Sequence, residues 1–279
     1  MEVIPKIIHY CWFGHNPKPE LALKCIESWK KFFPNYEIKE WNEENFNIEA
    51  CAYVKEAYEA KKWAFVSDYA RFWILYNYGG IYFDTDVEII RSIDNVLSHG
   101  PFLGTELIPS KGNADDLVPA VNPGLGMGVS ARHPFYRRML DEYKRKHFIM
   151  PDGKYNMSTI VDYTTNILID DGWKRNLQLQ CIDQINIYTP DYFCPMDYSS
   201  GLITITDNTC SIHHYSQSWS LSGKRESEIR RKMIQIFGQY IGSRLGWLFS
   251  RPIQIDEKIK TLGMKKTLSF YFKKYVLRK

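Results

Sequence analysis

A chain of 279 residues, 44% apolar and 15% aromatic, can bury one large core, and global disorder is excluded. No apolar run reaches the roughly 20 residues of a membrane helix, and the opening MEVIPKIIHYCWFG, with an early acid, is a poor signal peptide. The net charge of +4 hides an asymmetry: residues 224–279 hold 15 Lys and Arg against 4 Asp and Glu, a net +11, so the preceding 223 residues carry −7. An acidic body with a basic tail calls for an anionic partner at the tail. The six cysteines (Cys11, Cys25, Cys51, Cys181, Cys194, Cys210) include no CxxC pair and read as reduced cytosolic thiols.

Residues 4–13 predict a strand, 20–33 a helix and 36–41 a second strand, with Pro34 and Asn35 breaking the helix. Strand, helix and strand at this spacing form a βαβ unit and imply a parallel sheet. A helix follows over 49–62. Residues 67–86 read SDYARFWILYNYGGIYFDTD. Ala70, Trp73, Ile74 and Tyr78 give the first half of this stretch the spacing of a buried helix. Gly79 and Gly80 stop it, and Ile81–Phe83 is β-prone. Residues 87–90 resume extended structure. Strands are predicted over 101–107 and 125–130, with a polar, movable loop over 109–116 between them. Helices are predicted over 133–146 and 158–170, and short strands over 185–188 and 202–206. The tail from Lys224 is helical in pattern. The chain reads as one α/β domain over 1–223 with a basic helical extension over 224–279.

Asp84 and Asp86 lie two apart at the end of the β-prone run, so an extended chain would turn both toward one cation. Carboxylate oxygens suit magnesium and manganese, and open α/β sheets bind ligands beyond the carboxyl ends of their strands. Asp68 and Arg71 share a face of the preceding helix amid apolar residues, where charges are costly unless paired or used. His213, His214, Ser216, Ser218 and Trp219 form a second cluster with metal- and phosphate-binding chemistry. Trp12, at the end of the first strand, has the ring to stack on a nucleobase. No G-x-G-x-x-G, P-loop or G-x-S-x-G motif is present, which argues against dinucleotide, P-loop and serine-hydrolase chemistry.

IPKIIHYCWFG, SDYARFWILYNYGGIYFDTD and HHYSQSW, in this order, resemble the DXD-containing glycosyltransferases of family 32 and are similar to the catalytic domain of the large glucosylating toxins. The resemblance covers residues 4–219 and is densest before Ile90. It implies a GT-A fold, Rossmann-like with a mostly parallel central sheet flanked by helices, and a nucleoside diphosphate sugar donor, a UDP-sugar favoured, held with Mn2+ or Mg2+. Carried over by position, Trp12 would stack on the base. Asp68 and Arg71 would hold the donor sugar, and Tyr82 would line the nucleotide pocket. Asp84 and Asp86 would bind the metal with His214, the neighbouring His213 being the alternative, and Ser218 and Trp219 would meet the diphosphate. Retention of configuration is implied, with a front-face transfer preferred because no enzyme nucleophile is visible.

The expected acceptor is a glycan or lipid-linked oligosaccharide in surface polysaccharide synthesis. A protein acceptor, as for the toxins, and a non-catalytic nucleotide-sugar-binding or membrane-adaptor role are the alternatives. The tail segments LGWLF (245–249) and LSFYFKKYVLRK (268–279) interleave aromatics with Lys and Arg, as an interfacial helix on anionic lipid does. The expected location is cytoplasmic, peripheral at the inner face of the membrane. No module for nucleic acid is present.

Overall fold

Strand β1 (Ile7–Cys11), helix α1 (Glu20–Phe32) and strand β2 (Glu37–Trp41) open the chain, and the strands pair in parallel from Ile7 opposite Glu37 to Cys11 opposite Trp41. This is the expected βαβ unit. The computed structural model describes residues 3–110, 113–216, 221–262 and 264. Helices α2 (Ala52–Glu59) and α3 (Trp63–Tyr78) follow, then β3 (Gly80–Tyr82), β4 (Val87–Ile89), α4 (Asp94–Ser98), β5 (Phe102–Ser110), β6 (Asn113–Val121) and β7 (Met127–Val129). Helices α5 (Pro134–Lys144) and α6 (Ile160–Asp170) precede β8 (Gln180–Ile182), β9 (Ile185–Tyr188), α7 (Pro190–Phe193) and β10 (Ser211–His213), and α8 (Leu221–Leu262) comes last.

The main sheet has eight strands in the order β2-β1-β3-β7-β5-β9-β8, with β6 paired to β5. Strands β1, β2, β3, β5 and β9 run one way; β6, β7 and β8 run the other. The sheet is mostly parallel and flanked by helices, the α/β arrangement the resemblance implied. The stretch expected as a movable loop over 109–116 instead ends β5 and begins β6, which pair as an antiparallel ladder. Residues 202–206 form no strand; one bridge, Met196 to Ile203, stands there.

Helix α3 is central because it is apolar nearly all round. Phe65, Val66, Tyr69, Ala70, Phe72, Ile74 and Leu75 are buried in the core with Phe135, Tyr136, Met139 and Tyr143 of α5. The helix stops at Gly79, whose φ of 64° suits glycine and whose N–H reaches Leu75 O. A Cβ there would also lie 2.7 Å from Ala131 N. His9 clamps this turn to β1: Trp41 Nε1–H donates to His9 Nδ1 at 3.1 Å, which leaves Nε2–H to donate to Gly79 O at 3.0 Å. Burial lowers the His9 pKa to about 4, so the ring is neutral.

Two units are distinguished, one of Met1–Met196 with Ile203–His214, the other of Asp197–Leu202 with Tyr215–Lys279. The expected division between residues 223 and 224 lies inside the second unit. All six cysteines are free thiols. No described helix is long and apolar enough to cross a membrane.

Candidate functional site

The acidic pair does not sit on an extended strand. Strand β3 ends at Tyr82, and residues 84–87 form a turn closed by Val87 N–H to Asp84 O at 3.0 Å. The two carboxylates therefore leave the chain in different company, each with its own partners.

Asp84 belongs to a network rooted in α3. Arg71 reaches it with Nη1 to Oδ2 and Nη2 to Oδ1, both at 3.3 Å. Arg71 Nη2 also meets Asp68 Oδ1 at 3.0 Å, and its Nε–H donates to Ser67 O at 3.2 Å. Tyr82, buried beneath, donates its hydroxyl to Asp84 Oδ1 at 2.9 Å and offers its ring to the guanidinium at 5.0 Å. Glycine at 124 makes room for the carboxylate, since a Cβ there would stand 2.2 Å from Asp84 Oδ2. Asn122 Oδ1 holds Gly124 N–H, and Gly124 O accepts from Asp84 N–H.

Burial sets the charges. It pushes the Asp68 carboxyl up to about 7 against the pull of Arg71. It raises Asp84 as well, again opposed by Arg71. Burial also disfavours the guanidinium, but Asp84, Tyr82 and Asp68 outweigh it and keep Arg71 charged. One buried cation thus serves two carboxylates, and its loss would leave both uncompensated.

Asp86 has a different neighbour. Strand β10 pairs antiparallel with β4 and puts His213 opposite Val87. His213 Nε2 then lies 3.3 Å from Asp86 Oδ1. Burial disfavours the imidazolium, yet Asp86 raises the His213 pKa well above its ordinary value. Behind it, Glu106 and Cys194 bring ligand atoms within 4.8 Å of one another and of His213. His214 was expected with the acidic pair. Its imidazole turns instead to Glu88 Oε2 at 2.8 Å, which Lys24 also grips, and only its backbone N–H reaches Asp86 O. Side chains alternate along a strand, so adjacent histidines face opposite ways.

Trp12 stands half-buried just beyond β1, with its Nε1–H on Asn16 O. Ser218 and Trp219 lie outside the described residues. The structure thus brings together Asp68, Arg71, Tyr82 and Asp84, and pairs Asp86 with His213. Gly124, Asn122, Glu106 and Cys194 were not anticipated. A signal was present in NPGLGMG, whose glycines at 124, 126 and 128 all abut side chains closely.

Residues 19–103 match the family model described as a glycosyltransferase sugar-binding region containing a DXD motif. The chain is 27% identical over 214 residues to the mannosyl phosphorylinositol ceramide synthase SUR1 of Saccharomyces cerevisiae, covering 73% of this chain and 51% of that protein. It is 31% identical over 149 residues to inositol phosphoceramide mannosyltransferase 3 of Schizosaccharomyces pombe, covering 52% of this chain and 38% of the other. The chain spans about half the length, or less, of these relatives. Among solved structures, the PaToxG glycosyltransferase matches with a TM-score of 0.43 and 17% identity, over 61% of this chain and 71% of that one.

Proposed function

We propose that the chain is a metal-dependent glycosyltransferase that moves a sugar from a nucleoside diphosphate sugar to an acceptor hydroxyl. The observation that carries this reading is the juxtaposition of two sets. The buried Asp68 and Arg71 and the half-buried Asp84 form one ionic network, and the same turn presents Asp86 to His213. The matched glycosyltransferase region, residues 19–103, contains every member but His213. Curated relatives with mannosyltransferase names support an enzyme rather than an idle binding protein.

The donor set fits a hard or borderline divalent cation. The Asp86 carboxylate and His213 imidazole would hold Mn2+ or Mg2+, with Asp84 beside them. Such a cation neutralises charge developing on the departing diphosphate. The chain's own residues do the rest. Arg71, fixed by Asp68 and Asp84, presents a rigid positive charge to the donor. Asp68 accepts from a sugar hydroxyl and so reads the sugar, while Trp12 stacks on the base. In this role the metal ligand is His213 rather than the expected His214.

The acceptor in this reading is a glycan or lipid-linked oligosaccharide of surface polysaccharide synthesis; the relatives named for inositol phosphoceramide support its lipid-linked character alone. A UDP-sugar remains the favoured donor, but the mannosyltransferase names favour a second reading in which mannose is transferred from GDP-mannose. The test is incubation of the protein with a panel of UDP- and GDP-sugars and Mn2+, with nucleoside diphosphate release as readout. Release from one donor, rising with a glycolipid acceptor, is expected. No release and no thermal shift with any donor would overturn the proposal.

A further inference from the structure

Helix α8 breaks at Gly238, where φ is 75° and ψ is 169°, a backbone state that glycine alone tolerates well. The two arms fold back on each other. A Cβ at Gly242 would lie 2.4 Å from Ile234 Cα, and one at Gly246 would lie 2.7 Å from Arg230 Cα. As the second arm rises by one turn, its neighbour on the first arm falls by one turn, so the arms are antiparallel. Two glycines one turn apart let the backbones touch. Residues 221–262 therefore form a helical hairpin with its tip at Gly238.

The glycines define the inner side of the second arm. On a helical wheel, Ile241, Arg244, Trp247, Leu248, Arg251 and Ile255 fall within about 120° on the opposite side. In a hairpin surrounded by water this side should be polar. Instead Ile241, Trp247 and Leu248 are each more than half exposed, and Ile255 is exposed too. Phe249 flanks them, and Ile236 and Phe237 extend the apolar surface to the tip. The Arg251 guanidinium lies 4.2 Å from the centre of the Trp247 ring. Residues 221–262 carry 9 Lys and Arg against 4 Asp and Glu, a net +5.

We infer that the hairpin face of Ile241, Trp247, Leu248 and Ile255, with Arg244 and Arg251, seats the protein on an anionic lipid surface. A tryptophan and arginines interleaved with aliphatic side chains suit the boundary between headgroups and acyl chains, where the apolar parts sink and the guanidinium groups meet phosphates. No described helix is long and apolar enough to cross a membrane, so the hairpin lies in the interface. A second copy is a poorer occupant, because a two-fold pairing would set the arginines of one face against those of the other. The inference is independent of sugar transfer.

The test is co-sedimentation of the full chain, without donor or metal, with phosphatidylcholine vesicles and with vesicles containing one third phosphatidylglycerol. Binding to the anionic vesicles is expected, and high salt should weaken it. Trp247→Glu with Leu248→Glu should abolish it. Arg244→Gln with Arg251→Gln should weaken it roughly 30-fold if each arginine contributes as a basic residue near an anionic surface usually does. Trp247, Leu248 and Arg244 are exposed and Arg251 is half-buried, and an unaltered circular dichroism spectrum will show that both double variants fold. Equal binding of all three proteins, or none by the wild type, would overturn the inference. So would a dimer in solution that the Trp247→Glu, Leu248→Glu variant disperses, since the face would then belong to a second copy.

Discussion

Gly124→Ala is the sharpest structural perturbation of the site. The position is buried and its φ is not positive, so alanine suffers no backbone strain there. Its methyl group would, however, stand 2.2 Å from Asp84 Oδ2, more than an ångström inside ordinary contact. The backbone cannot easily retreat, because Asp84 N–H and Gly124 O are joined at 3.1 Å. The carboxylate must rotate away, breaking its bonds with Tyr82 and Arg71. A lost hydroxyl bond costs about 1 kcal/mol and a charged one about 1.5–3 kcal/mol. With partial relaxation, we predict a loss of about 2–4 kcal/mol, measured by urea denaturation. Titration calorimetry should show donor affinity in Mn2+ falling at least roughly tenfold, because Asp84 is misplaced. A variant with wild-type stability and donor affinity would refute the role given to Asp84.

Further outcomes follow from the same geometry. His9 has its folded pKa lowered from 6.5 to about 4, so its contribution is whole above pH 6.5 and is lost as pH falls toward the folded value. Between pH 6.5 and about 5 this amounts to about 2 kcal/mol, and His9→Gln should flatten the dependence of the denaturation midpoint over that range. His213→Ala should weaken Mn2+ binding at least roughly tenfold, whereas His214→Ala should leave it within about twofold and cost under about 1 kcal/mol of stability; equal effects would remove the distinction between them. Asp68→Asn should spare nucleoside diphosphate affinity while lowering kcat/KM for the donor sugar roughly ten- to hundredfold, and an equal loss of both would mean that Asp68 does not read the sugar.

The opening βαβ unit was legible because local pattern and tertiary pairing agree there. Helix α1 is amphipathic, β1 is a largely apolar buried run, and β2 alternates (EIKEW) as an edge strand does. Helix α3 and its glycine stop were legible for the same reason. Strand β6 was not: NADDLVPAV is polar at its start and carries a proline, and only its hairpin partner β5 makes it extended. Residues 202–206 erred the other way, because alternation predicts a strand only where a partner strand is available. In the site, the residue types and the Asp68–Arg71 pair could be read from spacing. Which histidine meets Asp86 could not, since it depends on the register of β10 against β4. The same holds for Glu106 and Cys194, which come from distant parts of the chain. Residues 268–279 of the tail lie outside the described residues, while 245–249 now belong to a hairpin whose glycines explain which side is outward.

The central claim is that Asp86, paired with His213, makes donor binding depend on a divalent cation. Titration of wild type and Asp86→Asn with a nucleoside diphosphate sugar, each with and without Mn2+, tests it directly. The account predicts that the metal tightens binding to the wild type at least roughly tenfold and has no effect on Asp86→Asn. Equal metal dependence in the two proteins would contradict it.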